Sequence, residues 1–266
     1  MATLALADVD LHFELAGTGP RLVFVNGSGA SIADMGILIE VLAERFEVLV
    51  HDQRGLGRTG VPRGPAPTMA DYALDVVALL DHVGWDATGV LGLSFGGMVA
   101  QELAVTAPGR VSRLALLCTS AGGAGGSSYP LHELAALSAD ERRATEVAIA
   151  DARFDEAWLA DHPGDRAMVE HMVRRSQRER TDEQRRGEAL QLEARRHHDV
   201  YDRLHRITCP TLVAAGRFDR TAPLENAVAI TEAIATAELR VYEGGHPFLL
   251  QDPTALPDIM AFLAEP

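Results

Sequence analysis

An alternation along the chain constrains its fold more than any other feature. Short runs rich in Val and Leu at 21–25, 46–50, 88–93 and 111–117 are separated by longer stretches with helical spacing, at about 31 to 44, 68 to 83 and 96 to 107. Apolar runs too continuous to leave a polar face suit strands buried on both sides. Strand, helix, strand, helix predicts a parallel, doubly wound α/β sheet. Thr68 with Asp71 three residues on predicts a capped helix start, and Pro108-Gly109 stops the helix before it. Ahead of these units, residues 3–16 alternate apolar and polar around Asp8-Val9-Asp10, which predicts an antiparallel hairpin joining the sheet edge.

After residue 117 the texture changes. A flexible stretch, Ala121-Gly122-Gly123-Ala124-Gly125-Gly126-Ser127-Ser128, leads into some 75 residues with no strand-like run. The alternation then resumes, with strands at 211–215 and 238–242 and helices at 223–235 and 253–264. The chain of 266 residues therefore divides into a core, 1–126 and 207–266, interrupted by a helical cap insertion, 127–206. One α/β unit of this length is ordinary. Between Asp140 and Arg206 lie 14 arginines and 16 acids, a nearly balanced set expected to cover solvated helix faces.

Composition narrows function by exclusion. The 38 acids against 24 bases give a net charge of −14, and all 24 bases are arginine. Without lysine there is neither a Schiff-base amine nor a P-loop lysine. An acidic balance disfavours nucleic acid or an anionic membrane as partner, since both demand basic patches. No apolar run reaches the roughly 18 residues of a membrane span, and no basic residue precedes Arg21 to form a signal peptide's n-region. Cys118 and Cys209 make no CxxC pair and sit in or beside apolar strand-like runs, so reduced thiols and a cytoplasmic location are expected. Their places at opposite ends of neighbouring strands forbid a disulfide.

The chemistry centres on Gly92-Leu93-Ser94-Phe95-Gly96-Gly97, a G-x-S-x-G pattern closing an apolar strand and opening a helix. Such a turn projects a serine hydroxyl above the sheet, and glycines two before and two after remove side chains that would collide. A hydroxyl attacks only when a base takes its proton and a carboxylate orients that base. His246, in Gly244-Gly245-His246-Pro247-Phe248, and Asp219, in Gly216-Arg217-Phe218-Asp219-Arg220, both follow predicted strands and so share one edge of the sheet. His51, ending the strand at 46–50, is the rival base. Residues 114–128 contain no acid, which leaves Asp219 as the orienting carboxylate. The N–H groups of Phe95 and Ser28, the latter in Val25-Asn26-Gly27-Ser28-Gly29, are the expected donors to a developing oxyanion.

These residues, in the order Ser, Asp, His, resemble the α/β-hydrolase superfamily, over nearly the whole chain outside the insertion. Asp52-Gln53-Arg54-Gly55-Leu56-Gly57-Arg58-Thr59 is similar to that family's D-x-R-G-x-G-x-S loop, and the layout resembles small bacterial esterases and enol-lactonase-like members with a helical cap. The resemblance implies a carboxylic ester hydrolase acting on a small-molecule ester or lactone through an acyl-serine, with neither metal nor organic cofactor. Hydrolysis of carbon–carbon bonds in β-diketones by the same triad, or a small-molecule receptor with slow turnover, are the alternatives. One departure is Asn26-Gly27 where the family usually carries His-Gly; the Asn26 side chain is expected to brace the loop that presents Ser28. Apolar residues of the insertion at helical spacing predict an apolar roof over Ser94, with Trp158, Met168 and Met172 facing substrate beside Phe248.

Overall fold

The apolar runs line up side by side in the computed structural model, which describes residues 2–265. In chain order the strands are β1 (Ala2–Ala5), β2 (Asp10–Ala16), β3 (Arg21–Val25), β4 (Glu47–His51), β5 (Thr88–Leu93), β6 (Val111–Leu117), β7 (Thr211–Gly216) and β8 (Ala237–Tyr242). They form one sheet in the order β1-β2-β4-β3-β5-β6-β7-β8. β1 and β2 are the antiparallel hairpin foreseen at the edge, β2 runs antiparallel to β4, and every later pairing is parallel.

Successive strand residues serve opposite faces, as the two-residue period requires. Val23, Leu49, Val90 and Val213 join one buried cluster, packed beneath α2 (Met69–Val83), α3 (Phe95–Thr106) and α8 (Leu224–Ala233). Leu22, Phe24, Val48, Leu91 and Leu212 join the other, under α1 (Gly36–Ala43) and α10 (Ala255–Ala264). Helices on both faces of a mostly parallel sheet are the doubly wound arrangement. The helix expected from 31 begins instead as a 3-10 turn, Ile32–Met35, held by reciprocal Ser31–Asp34 bonds. A short α9 (Phe248–Gln251) was not foreseen.

Between β6 and β7 the chain is helical, as expected: α4 (Ala139–Ala150), α5 (Glu156–Asp161), α6 (Pro163–Ser176) and α7 (Asp182–Arg196), with 3-10 turns around them. α6 buries no residue, whereas α7 buries Gly187, Gln191, Ala194 and Arg195. No helix among the described residues is long and apolar enough to cross a membrane.

Candidate active site

β5 ends at Leu93, and the chain must reverse within one residue to enter α3. Ser94 makes that reversal at φ +53° and ψ −112°, a conformation costly for any residue with a Cβ. Its main chain is pinned on both sides: its N–H donates to Leu117 O at 2.8 Å, and its carbonyl accepts the Thr119 hydroxyl at 2.8 Å. The flanking glycines are steric necessities. A Cβ on Gly96 would stand 2.0 Å from Val25 O, and one on Gly92 2.5 Å from Gly96 O.

The C-terminal ends of β7 and β8 bring the other two groups to the same edge. Asp219, on the loop leaving β7, accepts the N–H groups of Thr221 and Ala222 on Oδ1 at 2.7 and 2.8 Å. Its Oδ2 is left for His246 Nδ1, 2.7 Å away, and His246 Nε2 lies 3.0 Å from Ser94 Oγ. With Nδ1–H donated to the carboxylate, the Nε2 lone pair faces the serine hydroxyl. Burial pulls the imidazole pKa down, but the charge and hydrogen bond of Asp219, together with Cys118, hold it well above the ordinary histidine value. His51 closes β4 fully buried, its pKa pushed down to about 4 by desolvation alone, and takes no part.

Cys118 is the residue that sequence reasoning passed over. It follows β6 at φ +42°, and its sulfur, a carboxylate oxygen of Asp219 and a ring nitrogen of His246 lie within 4.8 Å of one another. Its only signal was position, directly after an apolar strand on the functional edge. Cys118 and Cys209 are both free thiols.

The loop after β3 approaches the serine from above, with a Cβ on Gly27 placed 3.7 Å from Ser94 Cβ. Among the described residues no acceptor takes the N–H of Ser28 or of Phe95, so both remain available to an oxyanion. The bracing expected of Asn26 is absent: its amide is wholly buried without a partner, and Gln53 Nε2 instead holds the Asn26 carbonyl at 2.8 Å. Asp52 supports the neighbouring turn, accepting Ile32 N at 2.7 Å and Arg58 N at 2.9 Å.

The insertion meets this site differently from expectation. Trp158 is occupied within the insertion, stacked on His162 at 3.6 Å and donating Nε1–H to Asp165 at 2.7 Å. Met168 and Met172 are half-buried on α6. Phe248 is not a wall of the site, because the turn into α9 sends its ring into the core, stacked 5.3 Å from Tyr242. The last turn of α4 and the residues just after it are bonded to both functional loops: His246 N donates to Ala150 O at 2.6 Å, Ala152 N to Phe218 O at 2.9 Å and Arg220 N to Ile149 O at 3.1 Å. Two helices reach the oxyanion loop: α6, whose Arg175 Nη2 donates to Gly29 O at 3.1 Å, and α7, where Gln191 Oε1 accepts Gly29 N at 2.9 Å. The side chains that these helices bring to the loop are polar, where apolar ones were expected over Ser94. An isolated glycine inside a helical run, Gly187, was the available signal for close approach.

Comparison with known proteins places this geometry in context. A family model described as alpha/beta hydrolase fold matches residues 20–253. The chain is 28% identical over 257 residues to 3-oxoadipate enol-lactonase 2 of Acinetobacter baylyi, covering 95% of this chain and 92% of that one. It is 30% identical over 253 residues to a poly(3-hydroxyalkanoate) depolymerase of Ectopseudomonas oleovorans, covering 92% and 84%. Among solved structures, the enol-lactonase of Burkholderia xenovorans superposes with a TM-score of 0.80 at 22% identity, covering 99% of this chain and 100% of that one, a likeness of fold.

Proposed function

This chain belongs to the α/β-hydrolase family, and we propose on that footing that it hydrolyses a carboxylic ester or lactone through an acyl-Ser94 intermediate. The observation that carries the proposal is the unbroken hydrogen-bonded series from Asp219 through His246 to Ser94, at 2.7 and 3.0 Å. Ser94 Oγ attacks the carbonyl carbon as its proton passes to His246 Nε2, and the imidazolium is held by the Asp219 carboxylate. The N–H groups of Phe95 and Ser28 receive the oxyanion, whose charge exists only in the transition state and the tetrahedral species. Collapse breaks the carbon–oxygen bond, and the departing alkoxide takes the proton back from His246. Water then repeats the sequence on the acyl-serine, releasing the acid and restoring the hydroxyl. Every step is carried by these groups alone, without metal or organic cofactor.

Support for an ester or lactone comes from the names of two relatives, an enol-lactonase and a poly(3-hydroxyalkanoate) depolymerase, beside others named putative carbamate hydrolases. A fluorophosphonate should label Ser94 alone among the nine serines, because only an activated hydroxyl attacks phosphorus at a useful rate. Ser94→Ala should abolish both labelling and turnover of a panel of esters and lactones while leaving the fold intact. Peptide mapping that finds the label on Ser28, Ser120 or Ser128 would overturn the assignment.

A further inference from the structure

Gly187, Gln191 and Arg195 lie one turn apart along α7, and all three are buried. Gln191 spends its carbonyl oxygen on Gly29 N, and its Nε2 has no acceptor. Arg195 is only 8% exposed, yet among the described residues no carboxylate pairs with it. Its Nη2 donates to Tyr129 O at 3.3 Å, and its Nη1 has no acceptor. Burial lowers the guanidinium pKa to about 10, with the Asp219 charge acting in the opposite direction, so it remains a cation at neutral pH. A buried charge without a counter-ion is strongly destabilising. Of the 38 acids of the chain, none among the described residues forms an ion pair with it, and Asp219 acts on it only at longer range.

Arg195 lines a cavity of about 200 Å³ that also exposes Arg196, His132, His198, Ser120 and Ser128, and whose lining includes no Asp or Glu. Desolvation brings the His198 pKa down to about 4, leaving it neutral at pH 7 and the arginines as the charges that count. Arg196 is exposed and has no ion-pair partner among the described residues. The cavity adjoins the nucleophile through two of its walls. Met98 lies one turn into α3, its N–H on Ser94 O at 3.3 Å, and Ser120 follows Thr119, whose hydroxyl holds the same carbonyl at 2.8 Å. An anion seated at Arg195 thus lies in a cavity whose walls also hold the main chain of the nucleophile.

We propose that this cavity binds a carboxylate carried by the substrate at the end remote from the bond that is cut. The substrates are then half-esters of dicarboxylic acids or lactones bearing a free carboxylate, an inference that rests on the acyl-Ser94 mechanism above. A carboxylate bridging the free Nη1 supplies the missing counter-charge, and a planar guanidinium suits it better than an ammonium would. The anion's attraction to Arg196 at the mouth offsets its repulsion by a molecule of net charge −14.

The test compares kcat/KM for monomethyl glutarate and monomethyl adipate with that for methyl hexanoate and methyl heptanoate, their uncharged counterparts of similar length. The half-esters should be preferred by about tenfold to a hundredfold, the range of one charge-assisted contact. Arg195→Met should bring the ratio close to one without lowering Tm, since it removes a buried charge that has no ion-pair partner among the described residues. Leu192→Glu, which puts an acid in the same cavity, should also erase the preference. Millimolar adipate should raise the Tm of the wild type and not that of Arg195→Met. Equal use of both ester classes by the wild type, or a preference that survives Arg195→Met and Leu192→Glu, overturns the proposal. Fluorophosphonate labelling separates the two levels: a labelled Ser94 with no half-ester preference removes the carboxylate cavity alone, and an unlabelled Ser94 removes both.

Discussion

Asp219 has every lone-pair direction that matters in use: two main-chain N–H groups fix Oδ1 and the imidazole occupies Oδ2. In Asp219→Asn an amide must either donate to His246 or lose its loop bonds. Turnover should then fall by roughly 10³ to 10⁴, because the ring is held in the wrong tautomer and its charged form loses its partner. The pH profile carries the same information. His246 accepts the Ser94 proton only when neutral, and its pKa is raised, so kcat/KM should climb with pH through a value well above that of a free histidine. In Asp219→Asn that limb should move to lower pH. Asp52→Asn, which alters a carboxylate bonded to Ile32 N and Arg58 N and not to the imidazole, should leave the limb in place; kinetics across pH 5 to 10 distinguish the two. This much of the site was legible in the sequence, since the elbow is a five-residue pattern and the histidine and aspartate follow strands of the same sheet. Phe248 was not legible in this way: two residues from His246, its ring is turned into the core by a short helix that the sequence does not signal.

At the level of elements, α7 contradicts what its composition suggests. Eight of the 15 residues of Asp182–Arg196 are charged, and such charge density suggests solvated faces. The face that matters is carried instead by one glycine, one glutamine and one arginine at helical spacing, a pattern that hydrophobic periodicity does not detect. Gly187 packs directly on Gly55: a Cβ there would lie 2.0 Å from Gly55 O and 2.7 Å from Gly55 Cα. In an exposed helix, Gly→Ala adds about 1 kcal/mol of stability. Here Gly187→Ala should instead lower Tm and raise KM by pushing α7, with Gln191, away from Gly29, while phosphonate labelling of Ser94 continues. An increase in Tm with unchanged KM would show that α7 is not held against the Gly55 turn. The strands and flanking helices were readable because their burial is apolar and periodic, and α7 was not because its burial is polar.

For the whole molecule, His51, His198 and His246 pull stability in opposite directions with pH. His51 and His198 have pKa values depressed to about 4 by desolvation, so they contribute stability above the ordinary value of 6.5 and lose it as pH falls toward 4. Each amounts to a few kcal/mol at full burial, about 1.4 per unit. His246 is raised, so its contribution is complete below 6.5 and disappears as pH climbs through its folded value. Urea midpoints should therefore fall between pH 6.5 and 4.5, and His51→Gln should flatten that fall; an unchanged slope would assign the acid sensitivity elsewhere. The backbone bonds from Ile149, Ala150 and Ala152 to the Asp219 and His246 loops carry a different consequence, for recombination. Those residues belong to the insertion by sequence and to the catalytic loops by bonding, so the seam along which a cap can be exchanged between relatives lies after residue 152. A chimera cut at the glycine-rich connector would import a foreign strap across the base and its acid. One cut beyond Ala152 would change the roof and keep the triad.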